Sequence, residues 1–150
     1  MDEREVFEPG EVTLRRAFGW GVFFIGDSQA DIVEVLPGAP VLWGDGREAA
    51  AVLVRHAQDV DDDVLDALGP DDDVPDVAVT VVVRWGFLAP RPVDAEGWLD
   101  VPSGRLTLGD ADFEDIFELR PGKWRVQVLL DRPPDPERVD IWISAAPGAA

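Results

Sequence analysis

Trp124-Arg125-Val126-Gln127-Val128-Leu129-Leu130 is the stretch that decides the fold of this 150-residue chain. Its even-numbered residues are all apolar, and they alternate with the polar side chains of Arg125 and Gln127. A period of two places successive side chains on opposite faces of an extended backbone. The stretch therefore predicts a β-strand with one face in the core, entered through a turn at Pro121-Gly122.

Strands of the same kind are predicted along most of the remaining chain. They cover residues 11–15, 20–25, 32–36, 41–43, 48–56, 77–85, 98–101, 105–108, 113–119 and 139–143. Segment 77–85 is apolar on nearly both faces, which places it in the interior of its sheet. Pro102-Ser103-Gly104 predicts a hairpin that pairs 98–101 with 105–108.

Segment 59–76 differs from these strands. Four apolar residues at helical spacing run up to Gly69-Pro70, which predicts one short helix near residues 61–68. From these eleven candidate segments we expect about eight or nine strands in the sheets, and with a single minor helix they predict an all-β fold, an antiparallel two-sheet β-sandwich. A barrel is the alternative. We expect one domain over residues 1–150, with 145–150 as a frayed tail.

The formal net charge is -18, from 31 acidic and 13 basic residues. Such a charge disfavours binding to nucleic acid and to anionic membranes, and it favours a basic protein partner. The chain also has twelve arginines to one lysine and is rich in Ala, Val, Gly, Pro and Asp. Coding bias in a GC-rich genome, or adaptation to salt, therefore remains an alternative origin of the acidity.

The chain lacks cysteine, and it has no apolar run near the roughly 20 residues that span a bilayer. Residues 1–5 are acidic and no apolar segment follows them, unlike a secretory signal. A cytoplasmic location is the expectation.

Catalytic chemistry finds little support in the residue inventory. His56 is the single histidine, and no glycine-rich nucleophile elbow surrounds Ser28, Ser103 or Ser144. No phosphate-binding glycine motif is present. We predict no catalytic residue, no cofactor and no enzymatic activity.

Two acidic stretches have the one-three-five spacing of a calcium loop, at residues 59, 61 and 63 and at 110, 112 and 114. Neither has the glycine at the sixth position or the glutamate at the twelfth that an EF-hand loop requires. We predict no metal site, and weak Ca²⁺ binding stays open as an alternative.

Two of the six tryptophans are predicted to point away from the core. Trp142 lies between Ile141 and Ile143, and Trp98 precedes the apolar Leu99. Outward tryptophans are candidate interface anchors, because such side chains concentrate binding energy. Packing beneath a loop is the equal alternative.

The order of several features resembles the competence protein J family. An aromatic strand at 19–27 and an alanine-flanked strand at 51–54 are followed by Phe-Glu-Leu-Arg-Pro-Gly-Lys-Trp-Arg-Val at 117–126 and a last strand at 139–143. The chain is also similar to small acidic immunity proteins of bacterial toxin systems. The resemblance implies a small β-sandwich that inhibits a nuclease inside the cell. The family's typical Tyr-His pair ahead of the aromatic strand is absent, so no functional residue is carried over.

These observations lead to two hypotheses. The first is a small acidic binding protein, an inhibitor or immunity protein that neutralises a basic partner such as a nuclease toxin. Its predicted partner-binding residues are Asp59, Asp61, Asp62, Asp63, Asp71, Asp72, Asp73, Trp98 and Trp142. The alternative is a carbohydrate-binding or hydrolytic β-sandwich that uses carboxylates and exposed tryptophans.

Overall fold

A computed structural model of the chain describes residues 9–30, 33, 39–110, 114–133 and 135–145. Within these ranges it has ten strands and one helix, where eight or nine strands were expected. The elements are β1 (Gly10–Arg16), β2 (Val22–Asp27), β3 (Val41–Trp43), β4 (Ala49–Leu53), α1 (Asp62–Asp66), β5 (Val79–Trp85), β6 (Ala95–Val101), β7 (Arg105–Gly109), β8 (Glu114–Glu118), β9 (Gly122–Leu130) and β10 (Arg138–Ala145). The predicted strand at 32–36, except residue 33, lies outside the described residues, as do residue 113 and tail residues 146–150.

The strands form two sheets of five, so the predicted two-sheet sandwich is confirmed. The order is β1-β5-β10-β9-β6 in the first sheet and β3-β4-β2-β7-β8 in the second. Neighbouring strands are antiparallel except β5 and β10, which run parallel. The purely antiparallel expectation is therefore corrected at this one pair, and β5 lies inside its sheet as predicted.

The core lies between the two sheets and follows the alternation of the strands. Trp124, Val126, Val128 and Leu130 on β9 are all buried. The inward residues of β10 belong to the same cluster as those of β2 and β7 from the opposite sheet. The period of two in the sequence is thus the pattern of residues that the sandwich removes from water.

The hairpin predicted at Pro102-Ser103-Gly104 is wrong in its pairing. A turn does occur there, but β6 pairs with β9 in the first sheet and β7 pairs with β2 in the second. The turn carries the chain from one sheet to the other, so that Val101 and Leu106 enter the core from opposite sides. Gly104 has a φ of 73°, and a Cβ there would lie 2.9 Å from the carbonyl oxygen of Leu119.

Several predicted boundaries also shift. β2 begins at Val22 rather than Trp20, because a turn closed by the Gly21 N–H to the Phe18 carbonyl precedes it. β4 ends at Leu53 rather than His56, and β5 begins at Val79 rather than Val77. The predicted helix is confirmed at Asp62–Asp66 and buries none of its residues. In the described part of the chain, no helix has the length and apolar character needed to cross a membrane.

Candidate functional site: an acidic segment between β4 and β5

Residues 59–76, here called the acidic segment, connect β4 to β5. The segment contains nine aspartates and no lysine or arginine. All nine aspartates are exposed, including the seven that were predicted to bind a partner. The topology therefore collects those seven residues on one solvent-facing connection.

Arg55 anchors the start of the acidic segment to the sandwich. Its side chain is only 8% exposed and forms ion pairs with Asp59 (3.2 Å), Asp61 (2.8 Å) and Glu137 (3.0 Å). Its Nη2 also donates to the backbone carbonyl of Asp59 at 2.6 Å. Burial alone would lower the pKa of Arg55, but the hydrogen bond and charge of Asp61, with Glu137 and Asp59, raise it above its ordinary value. Arg55 is thus charged, and it holds the two carboxylates of the acidic segment, Asp59 and Asp61, in fixed positions.

Helix α1 lies immediately after this anchor. Asp62 and Asp63 occupy its first turn, where negative charge is favourable toward the helix dipole. Further along, the Asp72 carboxylate accepts a hydrogen bond from the Gly69 N–H at 2.8 Å. The segment is therefore ordered by hydrogen bonds and ion pairs rather than by burial in the core.

Apolar side chains are exposed between the aspartates. Val64 and Leu65 on α1, and Val74 in the following loop, are all solvent-exposed. A surface that combines acidic and apolar side chains can add apolar contact area to charge attraction when it meets a partner.

The two predicted tryptophan anchors differ in exposure. Trp98 points outward and is 38% exposed, with Lys123 4.6 Å and Arg47 5.6 Å from its ring centre. Trp142 also lies on the outer face of its sheet but is only 6% exposed, with the guanidinium carbon of Arg84 5.2 Å from its ring centre. Trp142 is therefore too buried to act as the exposed anchor that was predicted.

Trp20 is the aromatic residue that the sequence reasoning missed as a candidate anchor. It is 75% exposed on the turn between β1 and β2. This turn is bonded to the chain leading into the acidic segment, since the Ala57 N–H donates to the Phe18 carbonyl at 3.2 Å. The flanking Gly19 and Gly21 were the available signal, because glycine favours a turn over a strand.

His56 and Ser103 form hydrogen bonds within the fold. His56 accepts a hydrogen bond at Nδ1 from the Gln58 N–H at 3.0 Å. The Ser103 hydroxyl donates to Asp27 at 2.6 Å, which ties the 102–104 turn to β2. Among the residues that the structure describes, no group of three or more histidines or acidic side chains is placed to hold a metal ion. Of the two calcium-type spacings, the first has Asp59 and Asp61 paired with Arg55, and the second includes residue 112, outside the described residues.

No protein-family model matches the chain, and no curated protein matches it. Two solved structures do. One is ComJ from Bacillus subtilis, an inhibitor of the DNA-degrading activity of NucA, with 10% identity over 93% of this chain and 96% of that chain and a TM-score of 0.53. The other is described as crocagin biosynthetic gene J, with 14% identity over 91% and 96% and a TM-score of 0.48. The chain therefore has a ComJ-like β-sandwich fold.

Proposed function

We propose that this protein is a binding protein of the inhibitor type, whose acidic segment engages a basic protein such as a nuclease. The observation that carries the proposal is the arrangement of the segment. Nine exposed aspartates lie on one connection, and the buried Arg55 fixes the start of that connection to the sandwich. No residue of α1 is buried, so the side chains of the helix remain available to a partner.

The charge of the segment fits a basic partner better than any other class of ligand. A concentrated negative surface accelerates encounter with a positive one and repels nucleic acid. Nucleases present positively charged clefts to the DNA backbone, so a row of carboxylates can occupy the same cleft. Exposed Val64, Leu65 and Trp20 add apolar contacts that a purely electrostatic encounter lacks.

The likeness in fold to ComJ agrees with this proposal. ComJ inhibits the DNA-degrading activity of NucA, and the likeness extends over 93% of the present chain. At 10% identity the likeness concerns the fold alone. The inhibitor role of the present protein is therefore part of our proposal.

The alternative of a carbohydrate-binding module has less support. Stacking of a sugar needs an open tryptophan face, whereas the Trp98 ring already has Lys123 and Arg47 beside it. Trp142 is covered. The exposed Trp20 stands on a turn beside the acidic segment and suits a protein interface equally well.

Charge reversal within the acidic segment tests the proposal. Asp62, Asp63 and Asp73 are exposed, and we change all three to Lys. The ion pairs of Arg55 with Asp59 and Asp61 are kept, and so is the hydrogen bond from the Gly69 N–H to Asp72. The matched control is the triple change Asp45→Lys, Glu114→Lys and Glu118→Lys, which alters net charge equally at exposed positions elsewhere. Exposed changes usually cost within about 0.5 kcal/mol of stability, and each lysine in the first turn of α1 adds about 0.3–1 kcal/mol through the helix dipole. Amide hydrogen exchange over residues 61–67 therefore accompanies the assay, to confirm that α1 persists in the variant.

The assay measures DNA degradation by nuclease fractions of the source cells, with each purified protein added. We expect the wild type and the control variant to inhibit and the segment variant to lose inhibition. Equal inhibition by all three proteins, or none by the wild type in any DNA-degrading fraction, would contradict the proposal.

A further inference from the structure

A cavity of about 650 Å³ lies on the outer face of the first sheet, away from the core. Its floor includes Arg84, Asp140, Trp142 and Leu129, which are the outward residues of three adjacent strands. Ligand-binding cavities are typically about 300–1,000 Å³. The size of this cavity therefore suits a small molecule.

The wall of the cavity is the chain between β5 and β6. The Ala89 N–H in this chain donates to the side-chain oxygen of Gln127 at 2.9 Å, and the Asp94 carboxylate accepts from the Leu130 N–H at 2.7 Å. Phe87 and Leu88 are exposed and line the cavity together with Pro90. Two fixed points thus hold an apolar wall over the sheet.

Three arginines line the cavity, two on the sheet and one, Arg91, in the wall itself. Arg84 is held by Asp140 (2.9 Å) and Glu11 (3.1 Å), and its guanidinium carbon lies 5.2 Å from the centre of the Trp142 ring. Arg138 pairs with the same Asp140 at 3.1 Å. Arg91 is exposed and forms no ion pair or hydrogen bond with any described residue. The lining therefore holds three arginines and two carboxylates, in a chain whose net charge is -18. Arg84 and Arg138 are paired with Glu11 and Asp140, and Asp131 also acts on Arg138, so the positive excess of the lining rests on Arg91.

This local excess of positive charge favours an anionic ligand. The ligand must also be small, because the rest of the molecule is negatively charged. An acidic protein would meet the repulsion of the whole surface. A small anion within the cavity lies inside the roughly 8 Å over which charges act at physiological salt, so the nearby arginines dominate. Guanidinium groups bind carboxylates through paired hydrogen bonds, and the apolar wall provides contact for a hydrophobic body.

We propose that this cavity binds a small carboxylate that carries an aromatic or aliphatic body, with the anionic group at Arg91 and Arg138 and the body against Phe87 and Leu88. This site is separate from the acidic segment and does not rest on its role.

Binding of 3-phenylpropionate, measured by calorimetry and ligand-observed NMR on the full chain, tests the proposal. Its neutral counterpart 3-phenylpropionamide has the same body without the charge. We expect Arg91→Ala to weaken binding of the acid about tenfold, since a hydrogen bond to a charged group is lost. Leu88→Ser should weaken it several-fold through lost apolar contact. Arg105→Ala, which removes an exposed arginine from the other sheet, should change nothing.

Each other outcome overturns the proposal. No saturable binding of the acid at millimolar concentration means that the cavity is not a ligand site. Equal binding of the acid and the amide, or no loss in Arg91→Ala, removes the anionic requirement. An acidic peptide that binds more tightly than the acid, with the same loss in Arg91→Ala, assigns the cavity to a protein partner instead.

Discussion

Asp27 shows how a single buried carboxylate connects the two sheets. It lies at the end of β2 and accepts hydrogen bonds from the Ser103 hydroxyl, the Ser103 N–H and the Gln29 N–H. Burial would raise the pKa of Asp27, but these hydrogen bonds hold it below its ordinary value of 3.8. The folded-state pKa is thus below that of the unfolded chain, so the ionised group stabilises the fold above the unfolded value. That stabilisation is lost as the pH falls through the folded value.

The Asp27→Asn variant should show this dependence on pH. At pH 7 we expect its free energy of unfolding to fall by about 1–3 kcal/mol, because an amide cannot accept all three hydrogen bonds. Below about pH 4 the difference from the wild type should begin to shrink, because the carboxyl is then protonated in the unfolded chain, and it should vanish below the lowered pKa of the folded state. Urea denaturation at pH 7 and pH 3 measures both values. Asp45→Asn, at an exposed turn carboxylate, is the control, and a difference from wild type that does not vary with pH would refute the assignment.

The tryptophans show where prediction at the scale of residues reaches its limit. Alternation correctly placed Trp98 and Trp142 on outer faces, because the direction of a side chain in a strand follows from its position. Exposure depends on what covers that face. Trp142 is buried beside Arg84, which is more than fifty residues distant in sequence. No local pattern contains that information.

At the scale of elements, the sequence predicted most strands, but the one strand pairing that it predicted is wrong. The 102–104 turn was recognised from Pro-Ser-Gly, yet it connects the two sheets instead of closing a hairpin. The parallel pairing of β5 with β10 joins segments almost sixty residues apart. Both features depend on which apolar strand faces pack together in the core. That packing is decided by the whole sandwich and not by any local stretch of sequence.

Helix α1 offers a test of the anchor. It has five residues and buries none of them, whereas isolated helices shorter than about 12–15 residues are marginal in water. We therefore expect Arg55→Met to raise amide hydrogen exchange over residues 61–67 toward that of an unfolded peptide while exchange in β5 and β9 stays slow. Arg132→Met, which removes a more exposed partner of Glu137, is the control. Unchanged protection in α1 after loss of Arg55 would show that the segment is ordered by other contacts.

At the scale of the whole molecule, the net charge of -18 should oppose the compact state. Added NaCl screens this repulsion, so we expect the thermal midpoint to rise by a few degrees between low salt and a few hundred millimolar. Weakened surface ion pairs such as Arg84–Glu11 act in the opposite direction, but acidic residues outnumber basic ones by 31 to 13, so repulsion dominates. The variant with lysine at 62, 63 and 73 should respond less. A midpoint that is flat or falls with salt would indicate that the carboxylates are already neutralised locally.

The central claim is that the acidic segment, rather than the overall charge of the molecule, recognises a basic protein. The most direct measurement is the association rate constant of each protein with the purified nuclease that the wild type inhibits, at low and at physiological salt. Charges at an interface act mainly on this rate. We expect the triple change Asp62→Lys, Asp63→Lys and Asp73→Lys to slow association about tenfold or more at low salt and to flatten its salt dependence. The control at positions 45, 114 and 118 should remain close to the wild type. Equal slowing by both variants would contradict the claim, because it would show that net charge alone governs the encounter.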